Sequence, residues 1–282
     1  MKKLISKFIA KAVRPVINSS LKAQLKPLVE RVGLLEKALT GASLSGQIEY
    51  LVRARRYHEA VQLMKTRKEL NADAKRALIE YINVAVLAPV RREWTGHGIV
   101  VPFRYYTEEQ KRDYLHLGVE VIRALRSLTP DVCFGFGTVL GLVRDGDLIP
   151  HDDDVDIIIC IPNATDIATG VDILTEHLTA SGFKIMQRPG HIKVLRDGEA
   201  DLDVFPGYRE GDFVNWRPGP RDGLPHSMIF PAEDRTHFNT AMPMPKEPER
   251  YLAMIYGDTW RTPLPSFRHV WGNFDDKLKD IP

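Results

Sequence analysis

The sequence predicts an α+β protein: a mostly strand-built sheet with helices packed on it, preceded by an all-helical region. Three observations lead there. Apolar residues recur at helical spacing through roughly the first 90 residues, with few strand signals. After Pro89 the pattern changes to short β-type runs separated by turn residues. Two of those runs alternate aspartates with apolar residues, the period of a half-buried strand. The boundary is expected near residue 92, giving a helical region over 1–92 and a second domain over 93–282.

Composition narrows the classes. The 282 residues suffice for one large domain or for a domain with a smaller appendage. With 44% hydrophobic and 27% charged residues, the chain has an ordinary globular composition. A net charge of +2 is too small to coat a nucleic acid, so no nucleic-acid partner is expected. Cys133 and Cys160 form neither a disulfide framework nor a CxxC or Cys/His zinc spacing, which fits a reducing, cytoplasmic compartment. No apolar stretch approaches the ~20 residues needed to span a bilayer.

From the N-terminus, Leu4, Ile5, Phe8, Ile9, Ala12, Val13 and Val16 fall on one helical face. Lys2, Lys3, Lys7, Lys11 and Arg14 fall largely on the other. Over residues 1–18 this pattern suits peripheral contact with a membrane surface, or docking of a terminal helix on its own protein. The lysines interrupt any signal-peptide core. Leu21, Leu25, Leu28, Val32, Leu35 and Leu39 then form a coiled-coil-like stripe that serves self-association into a homo-oligomer or internal packing. Pro27 and Gly33 weaken it. Residues 44–66 and 74–88 read as two amphipathic helices joined around Asn71-Ala72-Asp73.

In the second domain, Thr107-Glu-Glu-Gln110 is a capping-box signature. A helix follows, with Tyr114, Leu117, Val121 and Leu125 on one face, until Pro130. Strands are expected at 132–136, 155–160, 183–186, 192–195 and 202–205. A helix over 165–179 ends at Ser181-Gly182, and another spans 247–256.

The chemistry concentrates at His151-Asp-Asp-Asp-Val-Asp156, against the apolar run Ile157–Cys160. If a strand begins at Asp154, then Asp154, Asp156 and Ile158 share one face, while Val155, Ile157 and Ile159 enter the core. Two carboxylates so placed are positioned to hold a divalent cation, because burying both without one is costly. Asp201-Leu202-Asp203 repeats the arrangement on a second strand, and the two strands side by side can assemble a three-carboxylate site. An EF-hand is excluded: Ile157 stands where its turn requires glycine, and Asn163 where it requires glutamate. Asp152 and Asp153 are explained by a solvated turn. Upstream, Gly137-Thr138 falls where a strand gives way to a helix. Glycine admits close backbone approach, Thr138 offers a hydroxyl, and a helix N-terminus attracts phosphate. Arg144 can pair with a phosphate, or with Asp145 or Asp147. His151, His191 and His226 lie near these motifs, where surface or hydrogen-bonding roles are the default. Trp216, Trp260 and Tyr208 can stack on a base or sugar, with core packing the default. Lys193 reads as facing outward from a short strand.

The stretch GTVLGLVRDGDLIPHDDDVDI, followed by DLDVFPGY, closely resembles the LicD/fukutin family over about residues 105–265. MIFP at 228–231 and YLAMIYGDTW at 251–260 resemble its C-terminal pattern. The resemblance implies a nucleotidyltransferase-type mixed sheet over 93–282. It also implies transfer of a phosphorylated alcohol (phosphocholine, ribitol phosphate, glycerol phosphate or similar) from a CDP-activated donor to a hydroxyl of a glycan or glycolipid acceptor, releasing CMP. The family's Gly-Thr falls on Gly137 and Thr138, its first two metal aspartates on Asp154 and Asp156. Its Asp-hydrophobic-Phe-Pro falls on Asp203, Phe205 and Pro206, making Asp203 rather than Asp201 the third carboxylate. Mg²⁺ or Mn²⁺ is the implied cofactor, and Gly137, Thr138 and Arg144 the implied diphosphate grip. The implied setting is capsule or lipopolysaccharide biosynthesis at the cytoplasmic face of the cell membrane. His151 departs from the family, whose members often carry tryptophan there. A nucleotidyltransferase adding NMP from NTP, a DxD glycosyltransferase and a non-catalytic scaffold are the rival readings.

Overall fold

A computed structural model describes residues 44–263, apart from residues 69, 196–200, 218 and 220–222 and the side chain of residue 201. The basic segment 1–18 and the leucine stripe at 21–39 lie outside the described residues. These residues divide into two compact units, one holding residues 44–90 and 96–99, the other residues 91–95 and 100–263.

The first unit is helical. Residues 44–66 form two helices rather than the single one expected, α1 (Leu44–Arg53) and α2 (Tyr57–Thr66). A continuous helix would place Arg56 in the row Ile48, Val52, Ala60 and Met64, which is buried throughout. The chain turns at Arg55, whose φ is +57°, and Arg56 instead pairs with Glu59 at the surface. Helix α3 (Ala72–Ile82) begins on Asn71, whose side chain accepts the Ala74 N–H at 2.8 Å. It passes into a π-turn over Asn83–Leu87 that buries Val86 and Leu87.

Two short strands, β1 (Glu93–Thr95) and β2 (Gly98–Val100), follow. The second unit then opens with α4 (Glu108–Leu125), on the expected capping box. Thr107 Oγ1 accepts the Gln110 N–H at 3.2 Å, and Gln110 Oε1 accepts the Thr107 N–H at 2.9 Å. Its buried face packs on the sheet through Gly118, where an added Cβ would lie 2.6 Å from the Phe134 ring.

The sheet runs β3 (Val132–Phe134), β4 (Val155–Cys160), β7 (Asp201–Glu210), β6 (His191–Leu195), β5 (Ile185–Arg188). β8 (Phe213–Asn215) and β9 (Leu224–Pro225) continue it from β7. Among the described strands of this sheet, only β4 and β7 pair in parallel; α6 (Ile167–Ala180) and the β5–β6 hairpin lie in the connection between them. All six residues of β4 are buried, as a central strand covered on both faces requires.

Three elements differ from expectation. Phe136 is not the end of a strand: it opens α5 (Phe136–Arg144). The 202–205 strand extends to ten residues because it pairs first with β4 and β6 and then with β8. The C-terminal part contains a hairpin, β10 (Glu233–His237) and β11 (Thr240–Met244), besides α7 (His226–Ile229) and the expected α8 (Pro248–Tyr256). Phe238 and Asn239, at φ +50° and +58°, form its turn without a glycine to announce it.

Helix α8 holds α5 in place. Phe136 sits at φ +36°, uncommon for a side chain of that size, and its N–H donates to the Tyr251 hydroxyl at 3.0 Å in a buried setting. Tyr251→Phe leaves that N–H unsatisfied without changing the packing. We expect a loss of about 1–3 kcal/mol in urea denaturation, with the far-ultraviolet spectrum unchanged.

Candidate active site

The parallel register sets Asp156 of β4 beside Asp203 of β7, and the antiparallel register sets Lys193 of β6 beside Asp203. One row across the sheet therefore reads Asp156, Asp203, Lys193. The two aspartates are 8% and 7% exposed, among the few buried charged residues described. Lys193 Nζ lies 2.8 Å from Asp203 Oδ1, an ion pair outside hydrogen-bond angles. The sequence reading sent Lys193 outward, because its partner strand was unknown; it shares the face of Asp203 by cross-strand register.

Helix α5 supplies the other side. Gly137 N–H donates to Asp156 Oδ2 at 2.8 Å, placing a first-turn helix amide on a buried carboxylate. A Cβ on Gly137 would lie 2.7 Å from Asp152 Oδ2 and 3.3 Å from Asp156 Oδ2. Glycine is needed there because two carboxylates converge on the space a side chain would fill. Thr138 is buried, and its Oγ1 accepts the Asp156 N–H at 2.8 Å. Together with the Gly135 N–H donated to the Asp156 carbonyl at 3.0 Å, it fixes the strand that presents the carboxylate. Arg144, at the last turn of α5, makes a bidentate pair with Asp145, its Nη2 2.7 Å from Oδ2.

Asp152 enters the site from the turn before β4, and was not expected there. Carboxylate oxygens of Asp152, Asp153 and Asp154 lie within 4.8 Å of one another. Among the described residues, Asp154, Asp156 and Asp203 do not close to that spacing together, although Asp154 lies in the field of both. Burial first, then Asp156, Asp152, Asp203 and Asp153, push the Asp154 carboxyl well above the usual carboxylate range. Tyr256 of α8 faces the same cluster: burial, Asp156, Tyr251, Asp152 and Asp154 push its hydroxyl up. Nothing in the sequence marked Tyr256 as a site residue, because an aromatic at helical spacing reads as core packing.

His191 borders Asp203, its Nε2 3.4 Å from Oδ2, and stacks on Phe205 with centroids 5.1 Å apart. Burial, helped by Lys193 and Arg188 against the pull of Asp203, lowers its pKa, so it meets Asp203 as a neutral ring at neutral pH. His151 is exposed, and His226 pairs instead with Asp131. Trp216 and Trp260 are buried in the core cluster and Tyr208 packs on its edge.

An oxygen-rich donor set fits a hard divalent cation. Several carboxylates crowd one end of a buried strand, with the Lys193 ammonium beside Asp203, and burial and the neighbouring acids drive the Asp154 carboxyl toward its neutral form.

A mixed sheet with acids paired across its parallel strands, facing a Gly-Thr helix start, defines a nucleotidyltransferase-type domain. Residues 131–247 match the family described as LicD/FKTN/FKRP, nucleotidyltransferase domain. That stretch is therefore a LicD/fukutin-type domain, and the rest of the chain lies outside the match. No curated protein matches the chain in sequence. Among solved structures, ANT(2")-Ia in complex with adenylyl-2"-tobramycin is 14% identical over 47% of this chain and 68% of that one, with a TM-score of 0.32. The Bradyrhizobium diazoefficiens CD-NTase CdnG in complex with GTP is 15% identical over 40% of this chain, with a TM-score of 0.31. A cytoplasmic RNA terminal U-transferase is 20% identical over 36%, with a TM-score of 0.25. The chain spans only 37% and 30% of the last two. No helix among the described residues is long and apolar enough to cross a membrane.

The Asp154 shift has a pH consequence. Its pKa is raised from 3.8, so its contribution to stability is present in full below the unfolded value and is lost as pH rises through the folded one. Chelator-treated wild type should therefore lose melting temperature relative to Asp154→Asn as pH rises from 4 toward 7. Mg²⁺ should restore it at pH 7. Differential scanning calorimetry at both pH values, with and without Mg²⁺, checks this; parallel curves for the two proteins would contradict it.

Proposed function

We propose that this protein transfers a phosphorylated alcohol from a CDP-activated donor to a hydroxyl of a cell-surface glycan or glycolipid. The observation that carries the reading is the side-by-side burial of Asp156 and Asp203 at one end of the sheet. Phosphoryl transfer asks a protein mainly to position reactants and neutralise charge, and a carboxylate cluster with an adjoining lysine suits both.

In this reading Asp154, Asp156 and Asp203 would hold Mg²⁺ or Mn²⁺, which when bound supplies positive charge to the diphosphate and lowers the pKa of a bound hydroxyl. The acceptor oxygen attacks the phosphorus that carries the alcohol, the bond to the bridging oxygen breaks, and CMP departs. Asp203 takes the acceptor's proton, with Lys193 orienting its carboxylate and His191 closing its other side. Gly137 and the start of α5 line the diphosphate position. Thr138 acts behind it, by fixing Asp156. Arg144 reaches the donor by exchanging its Asp145 pair for a phosphate. The setting we propose is surface-polysaccharide assembly, of capsule or lipopolysaccharide, at the cytoplasmic face of the membrane, with residues 1–18 as the contact.

The test is incubation with a panel of CDP-alcohols, Mg²⁺ and candidate acceptors, following CMP. Release of CMP with a phosphodiester-linked product supports the reading; pyrophosphate release from an NTP instead would replace it with nucleotidyl transfer. Asp156→Asn should lower turnover by roughly a hundredfold or more, the scale of losing one group that stabilises transition-state charge, while the melting profile stays cooperative. Retained turnover in that variant would remove Asp156 from the mechanism.

A further inference from the structure

The other end of β4 carries a second group of ligating side chains, which phosphoryl transfer does not use. Asp131, Cys160 and His226 bring a carboxylate oxygen, a sulfur and an imidazole nitrogen within 4.8 Å of one another. They come from separate parts of the chain: Asp131 precedes β3, Cys160 ends β4 and His226 opens α7.

Main-chain bonds position each of them independently. Cys160 N–H donates to the Asp131 carbonyl at 2.8 Å, continuing the ladder in which Val132 faces Ile159. Asp131 N–H donates to Thr129 Oγ1 at 3.1 Å. His226 N–H donates to the Asp212 carbonyl at 2.8 Å. The convergence therefore does not depend on the side chains' mutual attraction. Cys160 is 2% exposed, whereas the side chains of Asp131 and His226 keep 22% and 17% exposure, so the sulfur is the floor and the rim meets water.

We propose that Asp131, Cys160 and His226 form a binding site for a zinc-class divalent cation, with water in the fourth position. Mixed oxygen, sulfur and nitrogen donors suit a borderline-soft ion, whereas Mg²⁺ gains nothing from sulfur. Metal–ligand bonds of about 2.0–2.3 Å set tetrahedral ligand atoms roughly 3.3–3.8 Å apart, inside the 4.8 Å that bounds these three atoms. His226 Nε2 and Asp131 Oδ2, now 2.6 Å apart, separate to admit the ion. The Cys160 thiol gives its proton to solvent as the sulfur–metal bond forms, and Nε2 turns its lone pair to the ion. Asp156 and Cys160 share one face of β4, four residues apart, or about 13 Å along the strand. The two cation sites are therefore distinct and of opposite hardness. This one would clamp the β3–β4 edge to α7.

Cobalt tests it on the full chain. Metal-stripped protein titrated with Co²⁺ should develop thiolate-to-cobalt charge-transfer absorption in the near ultraviolet, saturating at one equivalent. Zn²⁺ should abolish the band and Mg²⁺ should not. Cys160→Ser should eliminate it, while Cys133→Ser and Asp156→Asn should keep it. In His226→Ala, which alters the rim and spares the core, Co²⁺ affinity should fall by roughly tenfold or more. A wild-type titration without the band, a band that persists in Cys160→Ser, or unchanged affinity in His226→Ala would each overturn the site and leave a plain His226–Asp131 ion pair beside a buried thiol.

Discussion

Asp156 and Asp203 stand side by side on parallel strands, both nearly excluded from water. Neighbouring strands lie about 5 Å apart, and at an effective dielectric of about 20 two like charges at that distance repel by on the order of 3 kcal/mol. Lys193 offsets one such pairing, and the Gly137 amide adds a partial positive charge to Asp156. Asp152, Asp153 and Asp154 then add three more carboxylates at the same end. Burial and this crowding together push the Asp154 carboxyl upward. In the reading proposed above, a divalent cation would relieve this repulsion and so tie cofactor binding to the integrity of the strand ends.

The rest of the domain fixes those two acids. The run Ile157–Ile159 anchors β4 in the core, so Asp156 cannot withdraw toward solvent. Thr138 and Gly135 hold its backbone from the front, and α5 is itself held in a strained start by Tyr251 and by the edge-on contact of Phe136 with Phe205, 5.0 Å between centroids. Phe205 carries His191 on its other contact, and His191 borders Asp203. Core packing and active-site geometry are therefore one set of contacts.

The sequence made the local features legible. Alternation marked β4 and β7, the capping box marked α4, and an acid inside an apolar run marked Asp156 as something other than a turn residue. What it left hidden was register. Nothing in the chain order says that β4 and β7 pair in parallel with Asp156 level with Asp203, or that Lys193 falls next in the row. Asp152 looked solvated because its approach to Gly137 depends on how the turn folds back. Thr138 looked like a phosphate ligand because its hydroxyl could be seen and its burial could not. The same limit applies to Asp131, Cys160 and His226, which no spacing rule joins across almost a hundred residues. The β10–β11 hairpin escaped notice for a local reason: Phe238 and Asn239 turn it without glycine, and Pro243 sits within a strand.

The aspartates at the mouth of β4 and β7 form, in the reading proposed here, a divalent-cation site. Diffraction from crystals of the full chain grown with Mn²⁺, recorded where manganese scatters anomalously, tests it most directly. An anomalous peak is expected among Asp154, Asp156 and Asp203, in contact with at least two of them. A protein that crystallises in Mn²⁺ with these carboxylates ordered and no peak between them would contradict it.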